Sequence, residues 1–215
     1  MFAKDSFRLL TDLDSTQTWN GELPRIFGAC RELNKNLNAD IRAGRLPTRS
    51  CIRGRISNEN LQSLRDAYPL ELKSPFEQVA SISGGVWQAS ELIDENDDDA
   101  ALKLRFEAGT TDLPMHSHDY SNRVVVVIDG NGVFEVAADS QGLPPDPCQI
   151  HSIQVEPGDV LAFSRGVLHT FKAESEDLLL FSYHAPFIPL DDPRQFTIPD
   201  ALANKPSRGQ NFRAN

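Results

Sequence analysis

Positive charge, cysteine and long apolar runs are all scarce in this chain. Of its 215 residues, 21 are Lys or Arg against 31 Asp or Glu, a net charge of −10. Such a balance repels nucleic acid and anionic membranes, so neither is expected as a partner. No apolar run approaches the roughly 18–20 residues that a membrane helix needs. Met1-Phe-Ala-Lys-Asp-Ser-Phe-Arg8 mixes charges where a secretion signal needs an apolar stretch, so a cytoplasmic location is expected. Cys30, Cys51 and Cys148 are odd in number and widely spaced, with no Cys-x-x-Cys pair, so reduced thiols are expected. No phosphate-cradling glycine loop, serine-hydrolase elbow or catalytic-cysteine setting is present.

The charge deficit is uneven. Residues 1–65 carry 11 basic residues against 7 acidic, whereas residues 66–215 carry 10 against 24. The basic charges are scattered rather than blocked, which favours docking of an N-terminal arm on an acidic body. A DNA-binding helix-turn-helix would need more compact helix spacing than residues 22–67 show.

In that arm Leu23, Ile26, Phe27, Cys30, Leu33, Leu37 and Ile41 recur three or four apart. The spacing predicts an amphipathic helix from Glu22 to Ala43, stopped by Gly44 and Pro47. Arg49 to Arg55 reads as a connection or short strand. Ser57 can cap a second helix over Glu59–Ala67, ended by Pro69. Residues 75–83 are ambiguous. From Gly84 onward the pattern changes to short strands separated by turns, near 86–93, 101–108, 122–128, 132–138, 149–155, 159–163, 167–173 and 177–184. That rhythm suits a barrel or jelly roll. The acidic stretch 94–99 lacks the Gly and terminal Glu of a calcium loop and reads as a hairpin tip. The expected organisation is an arm (1–83), a mainly β body (84–190) and a C-terminal extension (191–215) lying over the surface.

The chemistry concentrates in two places. His116-Ser-His118 puts two imidazoles on one side of an extended segment, because strand side chains alternate faces. A third, His169, follows Pro157-Gly158-Asp159 on another strand-like stretch. Three imidazoles on neighbouring strands suffice to hold a metal. The plainer alternative is that they are surface histidines. His151 and His184 fall outside this pattern, although His184 shares strand parity with Ser182 and Leu180.

These stretches resemble the paired motifs of the cupin superfamily. His116, His118 and Gly130 fit the first motif; Gly158, Gly166 and His169 fit the second. The resemblance implies a double-stranded β-helix, here with the N-terminal helical arm, and an expected homodimer. It implies a divalent metal on His116, His118 and His169, iron first, with zinc, nickel or manganese as alternatives. Three departures stand out. The interval from Gly109 to His116 is one residue longer than usual, Ser164 replaces the usual Pro, and Arg123 occupies the place of the fourth ligand, normally Glu. Arginine cannot ligate a cation, so the site would keep open positions. Arg123 then either holds an anionic substrate, a carboxylate for choice, beside the metal, or it turns away or pairs with a neighbouring acid and the metal site is degraded. Asn122 takes its place if the register slips by one.

A three-histidine iron site is similar to that of the thiol dioxygenases. Phe181-Ser-Tyr183-His-Ala-Pro186 resembles their Tyr-x-x-Pro ending, which implies Tyr183 as a catalytic hydrogen-bond donor. A strand Tyr is also commonly a core residue, and Tyr120 shares that ambiguity. The reading is a metal-binding cupin, perceived as a non-haem iron dioxygenase for a small anionic molecule. The rivals are a non-catalytic cupin that binds a small ligand, and a metal-dependent sugar isomerase or epimerase.

Overall fold

Val124 to Ile128 form an unbroken apolar run, and a strand of that kind must be buried on both faces. The computed structural model shows how. It describes residues 9–10, 23–56, 58, 61–62, 65, 87–94, 99–137, 150–189 and 192–199. The run lies in β5 (Asn122–Asp129), inside a larger sheet built with β1 (Leu9–Leu10), β2 (Cys51–Arg55), β3 (Trp87–Asp94), β4 (Asp99–Phe106), β8 (Asp159–Phe163) and β10 (Leu178–Ala185). The order is β1-β2-β8-β5-β10-β4-β3. A smaller sheet comprises β6 (Gly132–Ala137), β7 (Ile150–Val155) and β9 (His169–Lys172), in the order β7-β6-β9. Apart from the β1–β2 pair, neighbours are antiparallel, and the fold is a mainly β jelly-roll barrel.

Alternation along β5 and its antiparallel neighbour β10 splits the core in two. Val124, Val126, Ile128, Phe181 and Tyr183 face outward, beneath α1 (Leu23–Arg42). That helix buries Phe27, Cys30, Leu33 and Leu37 there, at the periodicity the sequence shows. Phe27 stacks obliquely on Phe181 and Tyr183, with ring centres 5.9 and 6.0 Å away. Burying such a side chain is worth roughly 2–3 kcal/mol. Val125, Val127, Leu180, Phe134, Phe163 and Phe171 form the second core, between the sheets. The helix therefore docks on the barrel of its own chain, through an apolar face.

Two turns fix the register. Gly130 has φ +76°, and a Cβ there would lie 1.8 Å from the carbonyl oxygen of Asp177, so no larger residue fits between these loops. Asp177 accepts from the Ala108 amide at 2.9 Å and from Arg105 Nε at 2.8 Å, tying the same corner together. Its carboxyl is held below the usual range, by the amide first and by Arg105 second.

Strand positions agree with the sequence reading to within a few residues. The segment 49–55 resolves as a strand, with Cys51–Arg55 pairing antiparallel with β8. Asp94 pairs with Asp99 across the hairpin of β3 and β4, as expected of a hairpin tip. Most of the expected second helix, the ambiguous residues 75–83 and Cys148 lie outside the described residues.

Candidate metal centre

His116 and His169 are brought together by backbone pairing. Each amide donates to the other's carbonyl at 2.9 Å, in an isolated antiparallel bridge where two chain crossings meet. His118 follows two residues on, and its carbonyl accepts from the amide of Gly166 at 3.1 Å. The imidazole centres lie 4.6 Å apart for His116–His169, 5.1 Å for His116–His118 and 5.2 Å for His118–His169. One nitrogen of each ring can be chosen so that all three lie within 4.8 Å of one another.

The outer hydrogen bonds orient these rings for a cation. Nδ1 of His169 lies 2.9 Å from the Val167 carbonyl, and Nδ1 of His116 lies 3.3 Å from that of Pro114. Nδ1 of His118 faces the carbonyl of Gln195. A carbonyl oxygen can only accept, so these contacts favour the tautomer with the proton on Nδ1, which leaves the Nε2 lone pairs for a metal. Nη2 of Arg123 also lies 2.9 Å from Nδ1 of His118. One nitrogen cannot donate to the carbonyl and accept from the guanidinium together, and donation matches the other two rings. The donor set therefore fits a divalent ion.

Burial keeps the rings neutral, as ligands must be. It brings the His116 pKa down to about 4, opposed by the Pro114 carbonyl and helped by Arg123. His118 is pushed well below the usual range by burial and then by Arg123. His169 is pushed down by burial and then by His116.

Arg123 is 1 % exposed and lines the same cavity. Its Nη2 donates to Oε1 of Gln195 at 2.8 Å, and Nη1 reaches the Asn122 carbonyl at 3.4 Å. Nε is buried with no partner. No carboxylate among the described residues pairs with Arg123 or lines the cavity. Burial drives its pKa well down from the guanidinium range, a sign of how poorly the surroundings solvate the charge. Asn122, the alternative occupant, points the other way. Its amide nitrogen donates to Asn34 at 2.7 Å and Asn38 at 3.1 Å on α1, and its oxygen accepts from the Arg165 amide at 3.0 Å.

Tyr183 does not join the cluster, which corrects the role inferred from the Tyr-x-x-Pro resemblance. It sits on the opposite face of β10, against Phe27 of α1, because His184 and Ser182 take the inward positions. His184 is buried, is paired in register with Arg123, and has an Nδ1 without a partner. Its ring centre is 6.4 Å from that of His118. Tyr120 is 51 % exposed, and His151 is exposed on β7.

The extension expected to lie over the surface supplies part of the wall. Ser117 and Thr197 exchange backbone hydrogen bonds of 2.9 and 2.8 Å, and this bridge lays Gln195, Phe196 and Ile198 across the cavity. Ser164, the departure from Pro, uses its freedom. Its Oγ accepts from the Ser50 amide at 2.9 Å and donates to Thr48 O at 2.8 Å, and its own amide donates to Ser50 O at 3.0 Å. Proline has neither group.

The cavity measures about 50 Å³. Apolar side chains, among them Leu104, Phe106, Phe163 and Phe171, make most of its wall.

Residues 102–183 match the family described as the cupin domain. A vicilin from Solanum melongena is similar, with 22% identity over 47% of this chain and 29% of its own, at a TM-score of 0.35. The capsular polysaccharide assembling protein CapF of Staphylococcus aureus has 16% identity over 61% of this chain and 34% of its own, at 0.43. An oxalate oxidase in complex with the substrate analogue glycolate has 17% identity over 46% of this chain and 50% of its own, at 0.36. The chain spans about three-tenths of the length of the vicilins it is similar to. No curated protein matches it.

Proposed function

We propose that this chain is a metal-binding cupin, a reading supported by the cupin-domain match over residues 102–183, and that it is a non-haem iron dioxygenase of a small anionic substrate. Nε2 of His116, His118 and His169 would hold the metal. Iron bound there supplies Lewis acidity and the means to react with dioxygen, and three neutral ligands leave positions open for both substrates.

One observation carries the anionic reading. The cavity is lined by a buried guanidinium and four imidazoles, those of His116, His118, His169 and His184, and no carboxylate among the described residues balances the charge. A divalent ion would raise the local charge by two. Uncompensated buried charge is costly, so a negatively charged ligand is the natural complement. Arg123 binds and orients that ligand through charge-assisted hydrogen bonds. The mostly apolar wall lowers the local dielectric, which strengthens those bonds, and a cavity of about 50 Å³ suits a small ligand.

The test is oxygen consumption by iron-loaded protein with small carboxylate-bearing thiols and diketones. The reading expects uptake of dioxygen that depends on substrate and is abolished in Arg123→Met. Tight binding of such acids with no oxygen uptake would leave a ligand-binding cupin in place of an enzyme.

A further inference from the structure

Arg123 has more hydrogen-bonding capacity than the protein uses. Side-on, a guanidinium offers Nε–H and Nη2–H as two parallel donors spaced for the two oxygens of a carboxylate. On Arg123 one donor meets the amide oxygen Oε1 of Gln195 at 2.8 Å, and the other, Nε, has no partner although the side chain is 1 % exposed. Gln195 is itself only 3 % exposed and belongs to the 192–199 segment clipped on by the Ser117–Thr197 bridge. A neutral amide oxygen gives one hydrogen bond where the fork is built for two. It also leaves the charge unbalanced.

We propose that Arg123 and Gln195 form a gated carboxylate subsite. Gln195 Oε1 stands in for one carboxylate oxygen, and the carboxylate of a small organic acid displaces it, taking Nη2 and Nε together. The inference rests on the anionic reading above and adds the gate, which makes Gln195 a competitor of the ligand. The displacement involves the side chain only. The Gln195 carbonyl facing His118 stays in place, so opening the gate leaves the metal-binding ring oriented.

Calorimetric titration of the metal-stripped full chain with propionate, at fixed pH and ionic strength, tests this, with neutral propionamide as control. Wild type is expected to bind propionate and not propionamide. Gln195→Ala removes the competitor and is expected to bind propionate roughly tenfold more tightly, the order of one hydrogen bond to a charged group. Gln195→Asn keeps an amide but withdraws its oxygen and is expected to shift affinity in the same direction. Gln195→Glu places a carboxylate on the fork and is expected to abolish propionate binding, while its zinc uptake, measured by dialysis, persists. A merely structural glutamine would give weaker binding in all three variants. Unchanged or weaker binding in Gln195→Ala and Gln195→Asn, with wild type still binding propionate, overturns the gate and leaves the anionic reading standing. No propionate binding by wild type or by either of those variants overturns both.

Discussion

The two faces of the β5–β10 strand pair carry opposite kinds of residue one position apart. Outward, Val124, Val126, Phe181 and Tyr183 make a dry, partly aromatic contact with α1. Inward, Arg123, Val125, Ser182 and His184 border the cavity beside the imidazole triad. The same backbone hydrogen bonds position both sets, so the alternation of strand side chains alone separates a stabilising surface from a chemical one. The lesson is that the outer face should matter for stability alone, whereas the inner face combines a second core with the residues that carry the chemistry.

The largest effect should come from the outer face. Phe27→Ala empties a fully buried aromatic site and should cost about 3–5 kcal/mol in chemical denaturation. The folded fraction should still take up one metal ion per chain. If that variant lost metal at concentrations where it remains folded, the two faces would not be separable.

Next comes acid. The inward histidines titrate near 6.5 when unfolded and lower when folded, so below about pH 6.5 the unfolded chain binds protons that the folded chain refuses. Stability is full above pH 6.5 and is lost as pH falls toward the folded value, about 4 for His116. That ring alone accounts for roughly 3 kcal/mol across the window. Denaturation of metal-free protein at a series of pH values should show this slope, and His116→Gln should make it shallower while the other inward histidines keep the remainder. An equal slope in the variant would argue that His116 titrates as freely as an exposed ring.

Smaller again is Asn122→Ala. It removes two hydrogen bonds to α1 and one from the Arg165 amide, and should cost about 1–3 kcal/mol. Smallest of all is Tyr183→Phe, which should leave metal and carboxylate affinities unchanged and alter stability by no more than about 1 kcal/mol. A large loss of ligand affinity there would restore Tyr183 to the site.

Much of this division was legible in the sequence. The apolar spacing of Phe27, Cys30, Leu33 and Leu37 marked the helix face, and His116-Ser-His118 with His169 marked the cluster. Both are local patterns set by helix and strand periods. Strand parity also carried the signal that should have removed Tyr183, since His184 and Ser182 claim the inward positions. Gln195 gave no such signal. It reaches Arg123 across 72 positions of sequence, through a two-residue bridge between Ser117 and Thr197 with no strand pattern of its own. The side of β5 that Arg123 takes was likewise open until Asn122 was seen bound to α1, because a one-residue slip reverses every side chain.

The central claim is that three imidazoles drawn from two distant segments share one divalent ion. Equilibrium dialysis of metal-stripped protein against zinc or ferrous ion, read by elemental analysis, tests it most directly. The account predicts one ion per wild-type chain and none in a folded His118→Ala variant. Full occupancy in that variant, or none in the wild type, would contradict it.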